Sequence, residues 1–246
     1  MSRISIELVP RSLASLEDDL RALRARFPAV DTVNVPDLLR FPLRSWDACR
    51  VARRFVPRAI PHLRAMDFPL DKPFPLVDFL AESEIDSVLV VAGDPPQDLA
   101  HPVHPARPID WIRRLKQEAP GLRVYGAFDP YRAGLRAELE AAHAKLAAGA
   151  DGLFSQPFFD LRLLDVWADL LAGHEIWWGF SPVLSASTRR YWETKNRAVF
   201  PADFAPTLEW NRRLAEAALR WLRARDADAY FMPIRTGLDA WLGGLL

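Results

Sequence analysis

Short apolar runs alternate with segments of helical period along the whole chain. Eight runs read as strands: Ile4–Leu8, Asp31–Val35, Arg58–His62, Ser87–Ala92, Leu122–Ala127, Asp151–Ser155, Glu175–Phe180 and Ala229–Ile234. Several are apolar on both faces, as in Ser87-Val-Leu-Val-Val-Ala92, which is how strands covered on both sides of a parallel sheet read. Between them lie helical stripes. Leu13, Leu16, Leu20 and Leu23 mark one buried face, with Ser15 and Asp18 at capping-box spacing near its start. Leu135, Leu139, Ala142 and Leu146 repeat the pattern, as do Leu161, Leu164, Trp167 and Leu171 after an Asp160 cap. Trp210, Leu214, Ala217, Ala218 and Trp221 make a further stripe. Phe68–Pro75 and Pro95–Pro108 read as loops, because proline blocks helix interiors and central strands.

Eight strands alternating with helices over 246 residues, about 31 residues per unit, predict a single-domain (β/α)8 TIM barrel of the α/β class spanning residues 1–246. The rival is a doubly wound open sheet, which wants a glycine-rich turn after an early strand. Val9-Pro-Arg-Ser12 follows the first strand instead.

Composition narrows the functional classes. Lys plus Arg and Asp plus Glu both number 32, so net charge is zero, against a nucleic-acid partner. Cys49 is the single cysteine, which excludes an internal disulfide framework or a four-cysteine cluster within the chain. It reads as buried and inert beside Trp46 and Val51, and a cytoplasmic location is expected. The longest uncharged run, Ile176–Thr188, has 13 residues, whereas a spanning helix needs about 18 or more. The charged N-terminal stretch holds no apolar signal segment. No membrane partner is therefore expected, and a homo-oligomer is compatible with the sequence.

In a barrel of this kind the chemistry sits at the carboxyl ends of the strands. Those ends are Glu7, Asn34, His62, Asp94, Asp129, Gln156, Ser181 and Arg235. Glu7 alternates with Ile6 and Leu8, so Glu7 and Ser5 face the axis. A desolvated carboxyl there suits general acid work; the alternative is a structural pair with Arg235. Asp94 follows an apolar strand and is stiffened by Pro95 and Pro96; the alternative is a turn residue. Gln156 carries both a donor and an acceptor, suited to a pterin or flavin edge or to a loop backbone. A lone His62 reads first as a structural hydrogen-bonder. His101 and His104 lack the acidic helix context of a zinc site, so no metal is expected.

In this order the strand ends resemble the methylenetetrahydrofolate reductase family. The resemblance runs through Ile6-Glu7-Leu8-Val9-Pro10, Pro61-His62-Leu63, Gly93-Asp94-Pro95-Pro96 and Lys145, then Ala148-Gly149-Ala150-Asp151 and Gln156-Pro157-Phe158-Phe159-Asp160. It closes with Gly179-Phe180-Ser181-Pro182 and Tyr230-Phe231-Met232-Pro233-Ile234-Arg235. It implies an oxidoreductase that interconverts 5,10-methylenetetrahydrofolate and 5-methyltetrahydrofolate, with NAD(P)H reducing a bound FAD. By that likeness Glu7 is the general acid and Asp94 lies between flavin and pterin. Gln156 and Arg235 bind the folate, and His62, Asp94 and Lys145 contact FAD. Arg132 and Arg136 could hold the FAD pyrophosphate, which favours arginine; the alternative is that both are solvated helix-start residues.

Two segments depart from the family. Its glycine-rich turn after the second strand is replaced by Val33-Asn34-Val35-Pro36-Asp37. Its Tyr-Pro-x-x-His-Pro-Glu stretch is reduced to Phe128-Asp129-Pro130-Tyr131-Arg132, and its second Gln falls near Thr188. The alternatives are direct hydride transfer from NAD(P)H without flavin, or a non-catalytic folate-binding subunit that needs a redox partner.

Overall fold

The computed structural model describes residues 2–96 and 101–246. Eight parallel strands close on themselves in sequence order: β1 (Ile4–Glu7), β2 (Thr32–Val35), β3 (Arg58–Arg64), β4 (Ser87–Val91), β5 (Arg123–Phe128), β6 (Gly152–Pro157), β7 (Ile176–Phe180) and β8 (Asp228–Phe231). Strand β8 pairs with β1 through Ile4–Ala229, Ser5–Tyr230 and Ile6–Phe231, completing the (β/α)8 barrel. The outer helices are α1 (Leu13–Arg26), α2 (Ser45–Ala52), α3 (Val77–Glu82), α4 (Pro108–Glu118), α5 (Leu135–Ala147), α6 (Leu161–Leu170), α7 (Ala186–Lys195), α8 (Leu208–Arg225) and α9 (Leu238–Leu242). Two of them, α7 and α8, lie between β7 and β8.

The two-faced apolar strands divide their side chains between two cores. Outward residues such as Ile6, Val33, Val88, Val90, Val124 and Trp178 meet the helix stripes in one large core. Leu16, Leu20 and Leu23 are buried in it, while Leu13 is 49% exposed. Inward residues Ile60, Leu89, Tyr125, Phe154, Trp177 and Tyr230 form a separate core along the axis. Cys49 is fully buried on α2, and burial pushes its thiol well above the ordinary range.

Local expectations are corrected at four places. The α1 cap is Ser12, whose side chain accepts from Ser15 N while Ser15 answers the Ser12 backbone; Asp18 is not part of the box. Strand β3 runs two residues further, to Arg64, because Asp67 and the Asp94 carbonyl satisfy that guanidinium and permit its burial. The last strand stops at Phe231, so Met232–Ile234 belongs to the mouth. Of the predicted loop Pro95–Pro108, residues 97–100 lie outside the described residues, and Pro108 already opens α4.

Candidate functional site

The amino end of the barrel is closed by charge. Glu175 accepts from Tyr125 Oη at 2.7 Å, Arg123 Nη2 at 2.5 Å and Trp177 Nε1 at 3.2 Å, and pairs with Arg3 at 2.7 Å. Burial opposes ionisation of Glu175, but Tyr125, Arg3 and Arg123 outweigh it and hold the carboxyl below its ordinary value. Arg3 also binds Asp228. Above this floor Phe154 stacks on Trp177 with centroids 5.3 Å apart. Tyr230 donates to the Ser155 carbonyl at 2.6 Å. Gly179 makes that reach possible, since a Cβ there would come within 2.7 Å of the Tyr230 ring.

The opposite arc of the interior is polar. Ser5, Glu7, Asn34 and His62 are buried on β1, β2 and β3. Parallel register places Glu7 beside Asn34, and Asn34 beside Ile60, two residues before His62. Ser5 Oγ donates to Asn34 Oδ1 at 2.7 Å. The Asn34 amide nitrogen then lies 2.9 Å from Glu7 Oε2, to which it donates, and 3.2 Å from His62 Nε2. Burial pushes the Glu7 carboxyl up to about 7, against the lowering effect of the Asn34 hydrogen bond. Burial pushes the His62 imidazole down to about 3. The nearest Glu7–His62 approach is 4.0 Å. This side chain constellation is therefore a neutral imidazole and a carboxyl poised near neutrality, joined by one amide.

Glu7 opens into a cleft of about 1160 Å³ at the carboxyl rim, between the ends of β1 and β8, helix α1 and helix α7. Its walls include Phe27, Leu38, Phe41, Tyr191, Trp192 and Met232. Four arginines line it: Arg11, Arg26, Arg40 and Arg235. Arg26 is paired with Asp239 at 2.7 Å. Among the described residues no carboxylate is within ion-pair distance of Arg11, Arg40 or Arg235. Arg235 holds a left-handed backbone, φ 57°, a conformation that costs a non-glycine residue roughly 1 kcal/mol or more. Thr188 also lines the cleft.

Glu7 and Arg235 thus share one cleft, but Arg235 is not the ion-pair partner of Glu7; Asn34 takes that place. Asp94 and Gln156 stand at the same carboxyl rim, at the ends of β4 and β6, outside the cleft's described lining. Between Asp94 and the cleft the β2–β4 rim is filled by the chain's own charges. Arg44 pairs with Asp37 and with Asp67 at 3.0 Å. Asp67 also meets Arg64 at 3.2 Å and His101 at 3.1 Å. Arg64 holds the Asp94 carbonyl at 2.7 Å and packs on Gly93, whose φ is 87° and where a Cβ would lie 3.0 Å from Arg64 Nε. The Asp94 side chain itself is exposed. Asp129 and Ser181 turn their polar atoms to backbone, at Tyr131 N and Met232 O.

The residues assigned to FAD do not converge. Lys145 lies on the outer side of the wall, because α5 packs there and side-chain-free Gly126 leaves room for its stem. Its Nζ donates to the Ala127 carbonyl at 2.6 Å, and burial lowers the ammonium's pKa. His62 is inside the barrel with Nε2 against Asn34. Arg132 is 68% exposed beside Asp129. Asp94 stands exposed at the end of β4, and among the described residues no common surface for a pyrophosphate and a flavin ring joins the four, so they do not fit the cofactor. Among the described residues no group of three or more His, Cys, Asp or Glu is placed to hold a metal ion. Among the described residues no helix is long and apolar enough to cross a membrane.

Sequence reasoning placed Glu7 on the axis but gave Ser5 and Asn34 no task. Asn34 was visible as a polar residue in an apolar strand, and only the β1–β2–β3 register shows what it touches. Arg11 and Arg40 carry no signal of their own in the sequence.

No family model matches the chain, and no curated protein is similar to it at a significant level. Its fold has many relatives among solved structures. An uncharacterized protein from Clostridium thermocellum, described as binding two copies of 5-methyl-5,6,7,8-tetrahydrofolic acid, superposes with a TM-score of 0.65 at 10% identity, over 98% of this chain and 93% of that one. A 2,3-dimethylmalate lyase of the PEP mutase/isocitrate lyase superfamily gives a TM-score of 0.54 at 15% identity, over 91% and 81%. At these identities the likeness is one of fold: the chain is a complete (β/α)8 barrel of the kind both neighbours share.

Proposed function

We propose that the cleft binds a reduced folate and that the protein transfers hydride from NAD(P)H to 5,10-methylenetetrahydrofolate, giving 5-methyltetrahydrofolate without a flavin step. The observation that carries this reading is the Glu7 carboxyl, buried, poised near pH 7 and open to the cleft. A general acid works best when its pKa lies near the operating pH. Aromatic walls suit a pterin ring, and unpaired arginines suit the carboxylates at the far end of a folate. The folate-binding neighbour of the same fold agrees with that ligand class.

In this scheme the Glu7 proton goes to N10 as the bond from the methylene carbon to N10 breaks. The remaining N5 iminium accepts hydride from the nicotinamide at its methylene carbon. The nicotinamide is oxidised, the folate carbon is reduced to a methyl group, and solvent returns a proton to Glu7. The separated positions of His62, Lys145 and Arg132 favour this route over one through FAD.

The test is folate-dependent oxidation of NADH or NADPH by protein whose absorbance shows no flavin. The expected outcome is turnover that Glu7→Gln lowers by about 10²- to 10⁴-fold, the usual cost of losing a positioned proton donor. Tight folate binding with no turnover for either nicotinamide would instead favour a folate carrier.

A further inference from the structure

Neither the resemblance nor the fold assigns a task to the second strand, yet its inward amide touches Ser5, Glu7 and His62. We propose that Asn34 is the positioning residue of this site: oriented by Ser5, its amide holds Glu7 by one oxygen and leaves the other to carry the proton into the cleft. The function of Glu7 as acid rests on the proposed reaction; the placement of Asn34 does not.

The Ser5 contact orients the amide. Ser5 Oγ sits on Asn34 Oδ1 at 2.7 Å, which turns the amide nitrogen toward β1 and β3. That nitrogen has two protons. One reaches Glu7 Oε2 at 2.9 Å and the other His62 Nε2 at 3.2 Å. A donor aimed at Nε2 requires an unprotonated nitrogen there, so His62 is the neutral tautomer with its proton on Nδ1. A donor aimed at Oε2 stabilises the carboxylate left after proton transfer and localises the proton of the neutral acid on Oε1. The amide therefore makes Glu7 a stronger acid than burial alone would allow, beside an imidazole that burial keeps neutral.

All other groups facing Glu7 leave this task to Asn34. From β8 comes Tyr230, whose hydroxyl is spent on the Ser155 carbonyl and whose ionisation burial places far above neutrality. From β3 comes His62, held neutral. Around the cleft lie Arg11, Arg40, Arg235 and Asp19, with Arg26 paired to Asp239, and none of them forms an ion pair with Glu7. Among the described residues, Asn34 is the hydrogen-bond donor to the Glu7 carboxyl.

The experiment is a carboxyl titration read by NMR on protein with carbon-13 in the Glu side-chain carboxyls, the Glu7 signal assigned by its loss in Glu7→Gln. In Asn34→Leu the Glu7 midpoint moves up by about one pH unit, a tenfold weaker acid. The basic limb of the folate-dependent rate moves with it, while nitrogen-15 shifts of His62 lose the Nδ1–H preference. Ser5→Ala, which removes the orienting hydroxyl without placing an apolar group in the chamber, shifts the midpoint in the same direction by less. That variant keeps the inference testable if Asn34→Leu does not fold. A Glu7 midpoint equal to wild type in folded Asn34→Leu or Ser5→Ala overturns the inference, as does a rate loss that is uniform across pH. Full activity in Glu7→Gln overturns the proposed reaction instead, and leaves the titration result standing.

Discussion

Along β1, β2 and β3 the inward polar side chains include Ser5, Glu7, Asn34 and His62; along β5 to β8 the inward aromatic ones are Tyr125, Phe154, Trp177 and Tyr230. Both arcs are buried and both belong to one closed sheet. They differ in how their polar atoms are satisfied. On the aromatic arc each tip is tied down at once, Tyr125 and Trp177 to Glu175 and Tyr230 to the Ser155 carbonyl. On the polar arc the four groups satisfy one another through Asn34 and leave a carboxyl whose charge is undecided near neutral pH. The aromatic arc supplies rigidity and closes the floor. The polar arc carries the strain of desolvated chemistry, which a packed half-barrel can tolerate.

The comparison is broken most sharply by removing a ring from the aromatic arc. Phe154→Ala deletes the partner of Trp177, Tyr125 and Tyr230. Chemical denaturation is expected to show a loss of about 3–5 kcal/mol, the usual cost of such a truncation. A loss below 1 kcal/mol would mean that the arc is not the rigid half.

The polar arc responds in the opposite sense. The Glu7 carboxyl is raised in the folded protein, from an ordinary 4.5 to about 7. The native state then binds more protons than the unfolded chain between those values. Its contribution is fully present below pH 4.5 and is lost as pH rises through about 7. Glu7→Gln keeps the acceptor for Asn34 and cannot ionise. It should match wild type at pH 4 and exceed it by roughly 1–3 kcal/mol at pH 8. Equal stability of the two proteins at both values would show that Glu7 ionises freely.

A smaller effect sharpens the boundary between the arcs. Tyr230→Phe removes the donor to Ser155 O and leaves that carbonyl unsatisfied, at a cost of about 1–3 kcal/mol. The change should leave the Glu7 titration midpoint in place, read by the same carboxyl signal. A shift comparable to that of Asn34→Leu would merge the two arcs into one electrostatic unit.

Much of this architecture was legible in the chain. The eight strands showed because parallel strands are apolar on both faces, and Glu7 showed because it alternates with Ile6 and Leu8 and so faces the axis. Arg64 was not legible as strand, since its burial depends on Asp67 and on the carbonyl of Asp94, distant in sequence from each other. Asn34 was visible as a strand-end residue, but its task is a matter of cross-strand register. Lys145 was carried by a motif, and a motif does not say which side of the wall a helical side chain takes. The cleft is built by α1, α7 and the segment after β8, which no single stretch of sequence announces.

Equilibrium binding of 5-methyltetrahydrofolate, followed by calorimetry at pH 7, tests the central claim most directly: the polar arc and its cleft are the ligand site. The account predicts saturable binding in the micromolar range. It predicts an affinity about tenfold weaker in Arg235→Ala, as a lost charge-assisted contact costs, and an affinity unchanged in Arg132→Ala, whose guanidinium lies outside the cleft. No binding at millimolar ligand, or binding that Arg235→Ala leaves untouched while Arg132→Ala weakens it, would contradict the account.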